Sequence, residues 1–316
     1  MDDTIMNGIC QSKKQNQFIK QLKEYKYIYM LLIPGMVFFF LFHYMPLYGV
    51  TLAFKDFIIT KGISGSPWVG FKYFEQIFTD KKFWDVTFNT LHISLGRLIF
   101  EFPIPIILAI LINELISKRF KKVVQSLLYF PFFISWIIMY ALLQNVFSVD
   151  GGIINGILQY FGMNTVNFLT ETSWFRPIVY MSNTWKMAGY STILYLAAIT
   201  NIDQQLYEAA YVDGANRFRR IWHITLPGMQ TIILTVLILC VGNMMNGGFD
   251  QIVNIYNQVV YSVADILDTY VYRQAMERGQ FSLATAIGLF KAFINLILLL
   301  IVDRISRKIK GVGIYE

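Results

Sequence analysis

Six apolar stretches alternate along the chain with shorter polar connections that carry most of the charge. They cover residues 27–49, 86–116, 123–147, 177–200, 229–249 and 281–305. Crossing a bilayer takes about 20 mostly apolar residues in a helix, because lipid offers no partner to a bare N–H or C=O and a helix satisfies its own. The pattern predicts an all-α membrane protein of six transmembrane helices. The second stretch is overlong for one straight span. Pro103 and Pro105 in its middle remove two helical N–H donors and predict a bend there. The fifth closes on a polar, glycine-rich run from Asn243 to Asp250, in which paired glycines permit a local break.

Charge gives the spans a direction. Lys and Arg are retained on the cytoplasmic side of short loops. With both termini inside, the cytoplasmic segments hold Lys13, Lys14, Lys118, Arg119, Arg217, Arg219, Arg304 and Arg307 among others, twice the number left outside. Both termini are therefore expected in the cytoplasm. Residues 1–26 form a polar, Lys-bearing tail, expected as an amphipathic helix on the inner leaflet, and 27–316 form the membrane domain. The tail lacks the apolar region and cleavage site of a signal peptide, so the first span reads as an uncleaved anchor.

Composition agrees. Of 316 residues, 55% are hydrophobic and only 15% charged, and the mean hydropathy is +0.48. A net charge of +7 then reflects attraction to an anionic leaflet, with no nucleic-acid-binding module to argue otherwise. Cys10 and Cys240 are the only cysteines, too few and too separated for a disulfide framework or a metal site.

Polar groups inside the spans are the candidates for a path. A charge at a span centre costs about 2.5 kcal/mol or more, so each needs a partner or a function. Arg97 and Glu101 are one turn apart on one face and read first as a structural ion pair. Lys186, beside Trp185 and Tyr190, has no sequence neighbour to pair with, and Lys291 reads as pairing across helices. Trp185, Lys186, Tyr190, Asn243, Asn246 and Asp250 form the candidate substrate path: amides and a carboxylate can hydrogen-bond a polar solute, and aromatic faces can cover its apolar side. Interhelical packing is the competing reading for the Asn and Gly positions.

The connection between the fourth and fifth stretches, residues 201–228, is different in kind. Asp203 suits an N-cap, Leu206, Ala209, Ala210 and Val212 give a helix an apolar side, Gly214 suits a left-handed helix end, and Pro227 suits a helix start. It reads as a helical hairpin that a soluble partner can grip. Glu208-Ala209-Ala210, then Gly214, a nine-residue spacer, Ile224 and Leu226-Pro227 resemble the EAA signature of binding-protein-dependent ABC importer permeases. The resemblance implies a coupling helix docking on an ATPase, with Glu208 as polar contact, Ala209 and Ala210 as close-packing residues, Gly214 as the turn, and Asp213, Arg217, Leu226 and Pro227 in the same docking element.

Tyr270 to Arg273, Phe281 to Phe290 and Arg304 to Lys308 with Gly311 resemble, more narrowly, the carbohydrate branch that carries oligosaccharides and polysaccharide fragments. The resemblance implies a second homologous permease, a cytoplasmic ATPase dimer, an extracytoplasmic solute-binding protein and a bacterial cytoplasmic membrane. It implies no cofactor on this chain, with ATP and Mg²⁺ used by the ATPase. The chain itself contains no GxxxxGK(S/T), HExxH or GxSxG motif, and His43, His92 and His223 are scattered, so the chain is not read as an enzyme. An ion-coupled secondary transporter, or an importer for a non-sugar solute, are the alternatives; the first would be expected to show inverted repeats, which the sequence lacks.

Overall fold

The structure, a computed structural model, describes residues 24–310, with side chains to 308. Nearly all of the expected amphipathic tail thus lies outside the described residues. The described residues are overwhelmingly helical and hold no strand beyond a bridge between Lys55 and Trp68. They contain three helices long and apolar enough to cross a membrane, or five if two sharply bent helix pairs each count as one span.

The chain divides into two compact units, 1–69 and 70–316. In the first, α1 (Lys26–Phe39) runs through a π-helical turn, Phe40–Tyr44, into a 3-10 segment, Met45–Phe54. Its apolar side chains lie open, Leu31 being 82% exposed, as suits a helix whose solvent is lipid.

The second unit opens with α2 (Lys72–Thr79) and α3 (Lys81–Phe100), the latter capped by Asp80, whose carboxylate accepts from the Lys82 N–H at 2.9 Å. Pro103 opens α4 (Pro103–Asn113) at a position where a missing N–H leaves no helical bond unmade, so α3 and α4 run end to end as one long span, 81–113, without a sharp bend. The third stretch departs from expectation. α5 (Lys118–Tyr129) gives way to a 3-10 turn at Phe130–Phe133, and α6 (Trp136–Phe147) leaves at 103°. Pro131 denies the helix an N–H at the turn, and Ser135 starts the next helix by accepting from the Ile138 N–H at 3.3 Å.

After α7 (Ile153–Tyr160), the 29-residue α8 (Thr172–Thr200) forms the axis of this unit, packing on α4, α5 and α3. It carries Arg176, Lys186 and a run of Ser, Thr and Asn, a composition tolerable because so much of it faces protein. Gly189 sits where an added Cβ would overlap the Leu128 carbonyl, so glycine is what lets α8 and α5 cross closely. Residues 201–228 follow with α9 (Gln204–Val212) and α10 (Arg217–Arg220), then α11 (Gln230–Gly242), which meets the preceding helix at 60°. The fifth stretch ends where the glycines predicted. Residues 243–248 leave the helix, Gly248 takes φ +82°, and α12 (Phe249–Ile255) begins. α13 (Leu267–Tyr272) and α14 (Phe281–Lys310) complete the unit, with α14 packed along α11 and α13.

Buried polar groups fix the connections. Asn155, fully buried, donates to the Ser148 and Val166 carbonyls at 2.9 Å and accepts from the Val166 N–H at 2.8 Å, closing the 148–166 loop. Asp265, also fully buried, pairs with Arg273 and accepts from Thr269 Oγ1 at 2.7 Å. Burial lowers the Arg273 pKa, but the Asp265 carboxylate outweighs it and the guanidinium titrates above its usual range. Tyr270 is pushed up to about 12 by burial and then by Asp80, to whose carboxylate it donates at 2.9 Å.

Candidate functional site

The hairpin at 201–228 is built by three caps. Asp203 accepts from the Gln205 N–H at 2.9 Å and starts α9. At the other end the Ala215 N–H reaches the Ala210 carbonyl at 2.9 Å and the Gly214 N–H reaches that of Tyr211 at 3.1 Å. With Gly214 at φ +72° these two bonds make a Schellman cap, which turns the chain sharply and spends the carbonyls that the helix end leaves bare. Asn216 then caps α10, accepting from the Arg219 N–H at 2.9 Å.

One contact closes the hairpin on itself and another ties it to the bundle. Tyr207 Oη and Thr225 Oγ1 share a hydrogen bond of 2.9 Å, and Arg217 Nε lies 3.8 Å from Glu114 Oε2 at the end of α4. Arg217 thus faces the bundle. Pro227 sits in a short helical segment, Leu226–Gly228, one residue before α11 rather than in the span itself. Glu208 and Ala209 are exposed, Ala210 half-buried, and around them Tyr211, Val212, Phe218 and Trp222 are each at least 70% exposed. So much apolar surface on a rigid polar hairpin is the composition of a docking surface.

The second feature is a pair of cavities within the bundle. The larger, about 610 Å³, lies toward α12 and α13 and is lined by Asn246, Asp250, Asp268, Tyr272 and Lys291 among others. The smaller, about 260 Å³, lies toward α4 and α11 and includes Ser94, Glu101, Tyr195, Cys240 and Asn243. Arg97, Asn183 and Asn246 line both. The walls alternate donors and acceptors with apolar side chains, a chemistry suited to a hydroxyl-rich solute.

The candidate path residues divide. Asn243, Asn246 and Asp250 line the cavities, with Asn246 donating to Asn243 Oδ1 at 3.1 Å. Trp185, Lys186 and Tyr190 line neither. Lys186 is 7% exposed, and its ammonium donates to the carbonyls of Phe132, at 2.8 Å, and Ile134. It fills the donor deficit that the break at Pro131 leaves in the third stretch. Tyr190 stacks on Phe132 with ring centroids 4.1 Å apart and 7° between planes, and Trp185 is half-exposed on the outside of α8.

Arg97 and Glu101 pair as read, at 3.7 Å, and Lys291 pairs across helices with Asp268 on α13. Asn183, Gln251 and Asp268 were missed. Their period in sequence is that of ordinary interior polar residues, and only the third dimension brings them to one wall.

Comparison with known proteins gives this geometry a context. The chain is 44% identical over 307 residues to the polygalacturonan/rhamnogalacturonan transport system permease protein YteP of Bacillus subtilis (strain 168), covering 97% of this chain and 96% of that one. It is 42% identical over 294 residues to the protein LplB of the same organism, covering 93% and 92%. Among solved structures, a bacterial ABC transporter involved in the import of the acidic polysaccharide alginate matches with a TM-score of 0.86 and 38% identity, over 93% of this chain and 99% of that chain. The family described as binding-protein-dependent transport system inner membrane component matches residues 102–311, which include the hairpin and the three residues shared by the cavities except Arg97. The chain therefore belongs to that family, and is a membrane-embedded permease component of an ABC importer rather than an enzyme.

Proposed function

We propose that this chain forms one half of the membrane path of an ATP-driven importer in a bacterial cytoplasmic membrane, and that its cargo is an oligosaccharide handed over by an extracytoplasmic binding protein. A second, homologous permease completes the path. Residues 27–316 form the permease body as six spans with both termini in the cytoplasm, α8 counting as the fourth. Residues 201–228 dock on a cytoplasmic ATPase dimer, which uses ATP and Mg²⁺, while this chain binds no cofactor. Glu208, Ala209, Ala210, Asp213 and Gly214 meet the ATPase, and Arg217, Leu226 and Pro227 carry its motion to α11.

The hairpin carries the reading. Its caps make it stiff, its apolar side chains lie open, and it joins α8 to α11, two helices whose side chains line the smaller cavity. Closure of an ATPase beneath it would move both walls of the path. For the cargo, the support is the mix of amides, carboxylates and cations on the cavity walls, together with relatives named for polygalacturonan, rhamnogalacturonan and alginate. An oligosaccharide of uronate units is therefore the first cargo to test.

The test is purification of the tagged chain from its own cells in mild detergent, with the co-purifying chains identified by mass spectrometry, and uptake of labelled oligogalacturonides by the same cells with and without this gene. Recovery of a second permease and an ATPase, with gene-dependent uptake, is the expected outcome. A chain that purifies alone while other complexes survive would refute the proposed assembly. Glu208→Lys with ATP-dependent uptake unchanged would refute the coupling assignment.

A further inference from the structure

Arg97 stands where the two cavities meet. It reaches from α3 across to the first turn of α12, where it donates to Gln251 Oε1, and its guanidinium occupies the space that a Cβ on Gly248 would take. The receptor is rigid. Gln251 is 1% exposed, and its amide donates to the Val179 carbonyl at 2.7 Å and to Ser182 Oγ at 2.9 Å. The other edge of the guanidinium is less well served. Arg97 Nε and Glu101 Oε1 are both buried without a hydrogen bond, 3.7 Å apart, and Ser94 Oγ beside them is likewise unpartnered. Native proteins rarely leave buried charged donors and acceptors unfilled, since each costs free energy that nothing returns. All three residues line the smaller cavity, although these particular atoms are covered.

We propose that Arg97 is the barrier residue of this half of the path: latched to Gln251, its guanidinium separates an outer cavity from an inner one, and cargo passes when sugar hydroxyls draw it off that latch. The proposal rests on the transport reading above and on its topology, in which α12 and α13 face outward and α4 inward. Once the guanidinium moves off Gln251, the uncovered Nε and Glu101 Oε1 supply one donor and one acceptor to a passing hydroxyl pair. A planar guanidinium serves because it can leave Gln251 without leaving its counter-charge one turn away on α3.

Cys240 makes the barrier measurable, since it lines the smaller cavity but not the larger. With Cys10→Ser in place, it is the one thiol of this chain. The assembled transporter is prepared in right-side-out and inside-out membrane vesicles and treated with a charged, membrane-impermeant methanethiosulfonate. Labelling of the isolated tagged chain is then followed by mass. Cys240 is expected to react from the cytoplasmic face and to resist from the outer face. Arg97→Ala should raise the outer-face rate by about tenfold or more, the factor that one charge-assisted hydrogen bond holds. Gln251→Leu, which keeps the guanidinium and removes its receptor, should raise it as well.

Equal outer-face rates in Arg97→Ala and the parent overturn the proposal, and so does a parent labelled equally from both faces or from neither. Should Arg97→Ala not assemble, Gln251→Leu decides alone, with its cytoplasmic-face rate as the check on assembly. Labelling does not depend on cargo identity, so a failed uptake assay counts against the oligosaccharide reading and leaves the barrier standing or falling on these rates.

Discussion

Replacing Lys186 by Met tests whether this buried cation belongs to the path or to the scaffold. Met keeps the length and apolar stem and removes the three donors. The structure assigns those donors to backbone carbonyls at the break of the third stretch, chiefly those of Phe132 and Ile134, with Pro131, at 3.5 Å, marginal. A hydrogen bond to a charged group is worth about 1.5–3 kcal/mol, so two give roughly 3–6 kcal/mol. Against this stands the relief of no longer burying an ammonium, a penalty of a few kcal/mol that its contacts over the Phe132 and Trp136 rings, at 5.8 and 5.6 Å, already reduce. A net loss of about 2–3 kcal/mol remains.

The assay is thermal unfolding of the purified complex, followed by the loss of its monodisperse peak on size exclusion after heating. At about 2–4 °C per kcal/mol for a large domain, the midpoint should fall by about 4–12 °C. Uptake per folded complex should keep its KM. An unchanged midpoint together with a raised KM would refute the reasoning and return Lys186 to the substrate path, where the sequence had put it.

Three further outcomes follow from other positions. Gly214→Val forces a β-branched residue to φ +72° and should lower ATP-coupled uptake while insertion in the membrane, measured by yield, is preserved; the local strain is about 1–2 kcal/mol. Gly189→Leu would drive a side chain into the Leu128 backbone and should abolish recovery of folded complex, whereas Gly156→Ala, which meets open space, should not. Asn155→Leu leaves the Val166 N–H and two carbonyls without their partner and should cost about 2–4 kcal/mol, read as faster proteolysis of the 148–166 loop in right-side-out vesicles.

Much of the molecule was written in local order. Apolar length predicted the helices at 26–54, 81–113 and 281–308 because lipid imposes that length whatever packs nearby. Pro103 placed the junction of α3 and α4, and the paired glycines placed the break at 243–248, because both act on the backbone of their own residues. The hairpin was equally legible, for its caps join residues two to five apart: Asp203 with Gln205, Ala215 with Ala210.

What sequence could not reach were groups whose partners lie far along the chain. Lys186 looked free because its acceptors sit more than 50 residues earlier, on a turn whose 103° bend no local pattern announced beyond Pro131. Arg97 and Glu101 were found as a pair because they are one turn apart, yet the position of Arg97 between two cavities depends on Gln251 and Gly248, about 150 residues later. Spans and caps follow from short-range sterics and from the solvent, so the amino-acid order determines them. Which polar side chain fills a backbone deficit and which faces a path is decided only when the helices meet.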